Sequence, residues 1–335
     1  MKKVLIVTNS LDLHADLVAT RLLARGHLPF RLDLDAFPRD YQICLWFADG
    51  KLHHKIRRLG DAAWLDLDQV GAVWMRKPGD YAFPSDDLSP QELAFARLET
   101  EHALWSTLYT LDCYWMNHPL ALRGAQWKGE QLQRAARMGF RVPASLITNV
   151  PDEVRRFRRD IGSDGEMVFK AMSSPTLAAE EVATELRTVG ALRTSMVDQA
   201  MMECLEAVGQ MPCHFQEYVP KLYELRVTVI GERVFAAKLH TQDDPRTAID
   251  SRDMSAPIRY EAAILPDALR QRCLDFVRSY DLAYGALDLI VRPDGEVVFL
   301  ENNPTGQFLY IEQLIPEFKL IDAVTEALVE GARCR

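Results

Sequence analysis

Residues 286–303 read ALDLIVRPDGEVVFLENN. Two apolar runs flank Pro293-Asp294-Gly295, a composition that turns a chain back on itself as a β-hairpin. With Asp294 and Gly295 as a two-residue turn, Pro293 faces Glu296, and counting outward sets Asp288 opposite Glu301. Strand side chains repeat every two residues, so Asn303 joins that face while Leu289, Val298 and Leu300 take the other. Opposed side chains in an antiparallel pair have Cβ atoms about 4.5–5.5 Å apart, so two carboxylates there repel unless a cation lies between them. Carboxylate and amide oxygens suit a hard ion, Mg2+ or Mn2+, which completes its shell with water and phosphate. The plain alternative is the solvated face of an edge hairpin. Against it, FLENN is more apolar than an exposed edge requires, and NPTG stops the strand abruptly.

Working outward, the 335 residues suffice for two or three α/β units with sizeable cores. A net charge of -9 with scattered Lys and Arg argues against a nucleic-acid surface and toward a small or peptide partner. Cys44, Cys113, Cys204, Cys213, Cys273 and Cys334 show no CxxC or metal spacing, as expected of reduced thiols in a cytoplasmic protein. KKVLIV followed by TNS reads as a strand opening rather than a signal peptide, and no apolar run approaches a membrane span.

KVLIVT, HADLVATRLLARG and LPFRLDL give a βαβ start, whose first loop lacks a Gly-rich dinucleotide fingerprint. A hairpin about Asp49-Gly50 follows, and then GAVWMRKP, a buried strand whose end carries Arg76. Ligands of open α/β sheets sit at such strand ends, so Arg76 is a candidate anion contact, with a surface arginine capping the strand as the alternative. A helix is expected from Ser89 to Leu111, and a domain boundary near residue 117. ALRGAQWKGEQLQRAARMG reads as one amphipathic helix with Lys128 near its middle, FRVPASLIT as a strand broken by Pro143, and GEMVFKAM as a strand ending near Lys170. The polar segment 173–200 has no period and reads as a mobile loop. In the hairpin about Gly231-Glu232, pairing Ile230 with Arg233 puts Glu224 and Arg226 on one face and Lys238 and His240 on the other. PDALRQRCLDFVRSYDL and LIDAVTEALVEGA complete the chain as helices.

Lys170, FQEYV, the ELR of Glu224 to Arg226, LDLIV and FLENNPTG together resemble the ATP-grasp superfamily. VWMRKP, NHPLALRGAQWKGEQLQRAARMGFRVPASLIT, FQEYVPKLYELRVTVIG and AIDSR narrow the likeness to the microviridin-type ligases, or graspetide synthetases, over nearly the whole chain. The resemblance implies an α/β protein with the ATP-grasp fold. Residues 1–116 would be a Rossmann-like pre-ATP-grasp domain, and 117–335 the ATP-grasp domain, divided into subdomains 117–212 and 213–335. It further implies that Lys128 and Lys170 contact ATP phosphates, that Gln216, Glu217, Tyr218 and Val219 line the adenine, and that Glu224 holds the ribose or orders Arg226. Asp288, Glu301 and Asn303 would bind two Mg2+ ions, with Mn2+ as a substitute, in agreement with the face obtained by counting.

A carboxylate attacking the γ-phosphate of ATP brings anions together, so Mg2+, lysines and an arginine must neutralise them. The implied product is an acyl phosphate on an Asp or Glu side chain of a ribosomal precursor peptide, displaced by a Thr or Ser hydroxyl or a Lys amine to give an ω-ester or ω-amide ring. Arg226 is expected to stabilise the charge at the acyl phosphate, and the 173–200 loop to exclude water. The likeness also implies a leader-bearing precursor with an acidic, Thr-rich core, and a homodimer. Arg76, Lys221, His240 and Arg252 are the cations expected to meet that core. Two other readings stand beside this one. A ligase of the glutathione-synthetase or glutamate-adding kind would use the same nucleotide site, and a regulatory nucleotide-binding module would have lost one of these residues.

Overall fold

The computed structural model describes residues 2–161, 166–173, 194–252 and 255–333. The chain opens with β1 (Lys3–Thr8), α1 (Leu13–Ala24) and β2 (Pro29–Asp33). Asp12 caps α1 by accepting from the His14 amide, and Gly26, at φ +79°, takes the left-handed conformation just past its end. An antiparallel excursion follows, β3 (Tyr41–Ala48), β4 (Lys51–Arg58) and the short β5 (Leu65–Asp66). Asp49 and Gly50 both have positive φ, as a two-residue turn that matches strand twist requires. β6 (Val70–Met75), α2 (Pro90–Leu108) and β7 (Tyr114–Met116) then complete a parallel sheet in the order β2-β1-β6-β7. The last five residues of β1 and all of β6 are buried, which is why both read as unbroken apolar runs.

The expected single helix around Lys128 is two: α3 (Pro119–Gly124) and α4 (Lys128–Arg137). The chain breaks at residues 125–127 because the buried Gln131 amide takes the Ala125 carbonyl at 2.6 Å, and α4 starts anew with Trp127 as its N-cap. Lys128 therefore stands at a helix start, not a helix middle. Next come β8 (Ser145–Thr148), α5 (Pro151–Asp160), β9 (Met167–Lys170), β10 (Ser195–Met196), α6 (Gln199–Glu203) and β11 (Cys213–Glu217). Their strands form an antiparallel sheet in the order β10-β9-β11-β8, with a separate small core including Val154, Met167, Leu205 and Phe215. Of the segment expected as a loop, residues 174–193 lie outside the described residues. Its C-terminal end is regular structure, since Ser195 and Met196 pair with Phe169 and Val168.

The third part comprises β12 (Tyr223–Ile230), β13 (Arg233–Leu239), β14 (Tyr260–Ala263), α7 (Asp267–Arg278), β15 (Tyr284–Val291), β16 (Val297–Asn303), α8 (Leu309–Leu314) and α9 (Leu320–Arg333). Its sheet is antiparallel in the order β14-β13-β12-β15-β16. Across β12 and β13, Ile230 pairs with Arg233 and Arg226 with Ala237, so Arg226 and Lys238 occupy opposite faces as counted.

The β15–β16 hairpin departs from the count in two places. Its turn holds three residues, with the Arg292 amide donating to the Glu296 carbonyl and Gly295 at φ +85°. A bulge then absorbs the offset: Leu289 pairs with Phe299, whereas Asp288 pairs with Glu301, leaving Leu300 without an opposite number. The two offsets cancel at Asp288 but not nearer the turn. Val298 lies opposite Ile290 and packs with it, Val219 and Leu300 in a cluster of its own, while Leu289 and Phe299 belong to the main core. Leu289 thus takes the face expected of it; Val298 and Leu300 do not.

α9 returns to the start of the chain and packs on β1, β6 and β7, with Leu320, Val324 and Leu328 against Val4, Ile6 and Ala72. The approach is close enough that a Cβ at Gly331 would stand 2.3 Å from the Tyr114 ring. Among the described residues no helix is long and apolar enough to cross a membrane.

Candidate active site

A cleft of about 1120 Å³ lies between the β8–β11 sheet and the β12–β16 sheet. Its walls include Lys170 from β9, Gln216–Val219 at the end of β11, Glu224 and Arg226 from β12, and Asp288 from β15. Glu301 and Asn303 from β16 complete that wall, and Lys128 enters from α4. The placement of Lys128 depends on a residue the sequence did not single out. Gln131 is buried, donates to the Asn302 carbonyl at 2.9 Å and accepts from the Asn302 amide at 2.8 Å. This reciprocal pair docks α4 on β16 as a neighbouring strand would, and one turn earlier Lys128 meets the Glu301 carboxylate.

Asp288 faces Glu301 on one side and Arg226 on the other. Arg226 Nη1 reaches both Asp288 oxygens, at 2.7 and 2.8 Å. Burial alone would ease a proton off Arg226, but Asp288 and the nearby Tyr310 and Tyr284 outweigh it, so the guanidinium is held charged more firmly than usual. Its Nε has no hydrogen-bond partner among the described residues. Behind it, the chain needs glycine: a Cβ at Gly306 would stand 2.6 Å from Arg226 Nη2.

Lys170 has a neutral neighbour instead, the Gln216 Oε1 at 3.3 Å. Burial, reinforced by the charge of Lys128, brings its pKa down to about 8. Lys128 is also lowered, by burial against the pull of Asp288. Two cations held this way favour any anion that enters between them.

Beside the charged centre, Val219, Ile290, Val298 and Leu300 form an apolar patch next to the strand end at Gln216–Val219. The Glu217 carboxylate accepts from the Ala144 amide at 3.0 Å and Arg141 at 3.5 Å, and the Glu217 and Tyr218 amides donate to Ala144 and Glu166. Lys221 is buried, pairs with Glu224 and donates to the Ile249 carbonyl at 3.3 Å. Arg252 is held by Asp250 at 2.6 and 2.8 Å, and Asp250 accepts from the Thr194 amide at 2.8 Å.

Arg76 and His240 do not line the cleft. Arg76 is buried against Asp12 at 3.2 Å, and His240 contacts Glu261 at 2.9 Å and Arg259 at 2.8 Å. Lys77, Tyr260 and Tyr310, which the sequence reading did not select, do line it. For Lys77 a signal existed, since it shares the RKP strand end with Arg76; Tyr260 opens the short β14 and Tyr310 sits in the first turn of the short α8, neither with a local signature. Asp288, Glu301 and Asn303 offer two carboxylates and an amide on one rim, a donor set that fits Mg2+, with Lys128 against Glu301 and Lys170 on the facing sheet.

A two-sheet cleft with this charge arrangement, joined to an N-terminal α/β domain, defines an ATP-grasp carboxylate ligase with a pre-ATP-grasp domain. Residues 3–123 match the family profile described as the MvdD pre-ATP grasp domain. The structure resembles that of the macrocyclase MdnB from Microcystis aeruginosa MRC, at 30% identity and TM-score 0.78 over 99% of this chain and 100% of that one. The macrocyclase MdnC of the same organism, bound with precursor peptide MdnA, is 28% identical with TM-score 0.85, over 98% of this chain and 99% of that one. A RiPP-associated ATP-grasp ligase of Chryseobacterium gregarium, in complex with ADP and a leader and core peptide, is 26% identical with TM-score 0.88, over 98% of this chain and 97% of that one. Among curated proteins none matches the chain. The chain belongs to the graspetide family of ATP-grasp macrocyclases and ligases.

Proposed function

We propose that the chain uses ATP to close rings in a ribosomally made precursor peptide, joining Asp or Glu side chains to Thr or Ser hydroxyls or to Lys amines. The observation that carries this is the Asp288–Glu301 pair with Asn303, met within one cleft by Lys128, Lys170 and Arg226. Lys128 and Lys170 hold phosphate oxygens, and Val219, Ile290 and Leu300 give the adenine an apolar seat beside Gln216–Val219. Asp288, Glu301 and Asn303 would hold Mg2+, two ions in this reading with Mn2+ able to substitute, which would neutralise phosphate charge. A peptide carboxylate takes the γ-phosphoryl group, leaving ADP. The hydroxyl or amine then displaces phosphate and loses its proton, and the new ester or amide closes the ring. Arg226 stabilises the charge that grows on the acyl phosphate, and Glu224 orders this wall through Lys221.

Lys221 and Arg252 line the cleft and are the cations assigned to an acidic core; Arg76 and His240 have other partners. In this reading the protein acts in the cytoplasm as a homodimer on a leader-bearing precursor. Residues 1–116 serve as the pre-ATP-grasp domain and 117–335 as the ATP-grasp domain, with α9 returning to the first.

The test is to incubate the protein with ATP, Mg2+ and the short Thr- and acid-rich peptide encoded beside it, and to weigh the peptide. Loss of one water mass per ring with ADP release is expected. An unchanged peptide, with ADP appearing only when free amino acids are supplied, would instead identify a simple amino-acid ligase.

A further inference from the structure

We propose that the buried residues Asp12, His14 and Arg76 of the N-terminal domain position Arg226 for ring closure, by fixing the loop 304–309 on which its guanidinium rests. The inference depends on the role given to Arg226 above. The loop follows Asn303 directly, so whatever fixes its backbone also fixes the end of the carboxylate rim.

Four of the loop's contacts come from Arg76 and His14 of the first domain. Arg76 Nη1 donates to the Thr305 carbonyl at 3.2 Å and lies 3.5 Å from the Gly306 carbonyl. The Phe308 and Leu309 amides donate to His14 Nε2 at 3.3 and 3.2 Å, which leaves the ring proton on Nδ1, 3.3 Å from Asp12. Asp12 in turn accepts from Arg76 Nε at 3.2 Å and the Thr8 hydroxyl at 2.6 Å. Burial would raise the Asp12 pKa, but His14 and Arg76 outweigh it and keep the carboxylate ionised. On the other side, Tyr284 donates its hydroxyl to the Gly306 carbonyl at 2.7 Å, and Asn117 donates to the Pro304 carbonyl at 3.1 Å.

Gly306 is where this brace meets the cleft. A Cβ built there would stand 2.6 Å from Arg226 Nη2 and 2.8 Å from Ala286 Cβ, so the loop backbone lies close against that end of the guanidinium with no room for a side chain between them. A loop shifted outward leaves Arg226 free to swing off Asp288; a loop shifted inward pushes it off. Arg76 cannot reach a peptide itself, because it is buried and absent from the cleft wall. It is a positioning residue.

The experiment compares Arg76→Lys, Gly306→Ala and Arg226→Ala in the full chain, with ATP, Mg2+ and the encoded peptide. Lysine keeps the charge opposite Asp12 but lacks the planar fork that presents separate nitrogens to Asp12 and to the loop. For Arg76→Lys the turnover of peptide to ring should fall on the order of tenfold to a hundredfold, with the ATP dissociation constant within about twofold. The Arg226 Nε–Hε NMR signal should shift in Arg76→Lys and in Gly306→Ala alike. The double variant Arg76→Lys/Gly306→Ala should lose little beyond the worse single, since both act through one loop. A wild-type turnover in Arg76→Lys, or a raised KM for peptide with turnover kept, overturns the inference. Should Arg76→Lys fail to fold, Gly306→Ala decides: folded with wild-type turnover and an unmoved Arg226 signal, it overturns the inference as well. Wild-type turnover in Arg226→Ala would sink the underlying reading instead, whatever Arg76→Lys does.

Discussion

Two Arg–Asp pairs in this molecule contain the same side chains and behave as opposites. Arg76 and Asp12 are 3% and 5% exposed, and both are bonded further, to Thr8, His14 and the 304–309 backbone. Arg226 and Asp288 are 10% and 29% exposed, and Arg226 Nε has no partner among the described residues. A buried pair with its hydrogen-bonding capacity filled is a brace, because removing one member strands the other charge in a dry interior. A half-open pair with capacity left over can exchange partners, which a site for phosphate and hard cations requires. The pair that is solvated on one side is the one proposed for the chemistry.

The sharpest way to break this comparison is one substitution in each pair. Asp288→Asn should lower ADP release with peptide on the order of a hundredfold to a thousandfold, while thermal unfolding shifts less than in the matching Asp12 variant. Near-normal turnover would remove Asp288 from the metal rim. Asp12→Asn should cost about 3–5 kcal/mol of unfolding free energy in denaturant titrations, since it leaves Arg76 buried and uncompensated. A loss below that of Asp288→Asn would show that the first pair is not the brace described.

Lys170 extends the comparison from pairs to a single cation. Its bonded neighbour is the neutral Gln216, and burial with the charge of Lys128 brings its pKa down to about 8. Phosphate favours the protonated amine, so the pKa must rise on nucleotide binding. ATP affinity should therefore be level below pH 8 and weaken above it, by up to about tenfold per pH unit until the bound-state pKa is passed. Lys170→Met should bind ATP more weakly at pH 7 and lose this slope. A slope that survives in Lys170→Met belongs to another group.

What the sequence disclosed follows the range of the interactions. The β12–β13 register was legible because a two-residue turn with no bulge leaves nothing to miscount. Across β15 and β16, Asp288 and Glu301 came out opposed only because a longer turn and the Leu300 bulge cancel; the faces of Val298 and Leu300 were lost to the same bulge. Lys128 was found as a phosphate candidate but misplaced along its helix, since the break is made by Gln131 taking the Ala125 carbonyl while its side chain is held by Asn302, 171 residues away. Arg76 was read as a ligand contact from its place at a strand end. Its burial depends on the Thr305 carbonyl, 229 residues on, and local pattern carries no trace of that.

The smallest effect belongs to a third pair, which separates geometry from dehydration. Arg39 and Asp40 make a two-pronged contact, Nε and Nη2 each 3.0 Å from a different carboxylate oxygen. Both are open to solvent, and the hydrogen bond from Arg39 holds Asp40 below the usual carboxylate range. Because that pKa is depressed on folding, whatever the pair contributes is present at neutral pH and fades only as the solution becomes acidic. Water competes for both groups throughout, so Asp40→Asn should leave the unfolding midpoint at pH 7 and 0.15 M salt where it is in the wild type. A drop as large as that of Asp12→Asn would mean that contact geometry, rather than the exclusion of water, ranks the three pairs, and the distinction between brace and site would have to be drawn elsewhere.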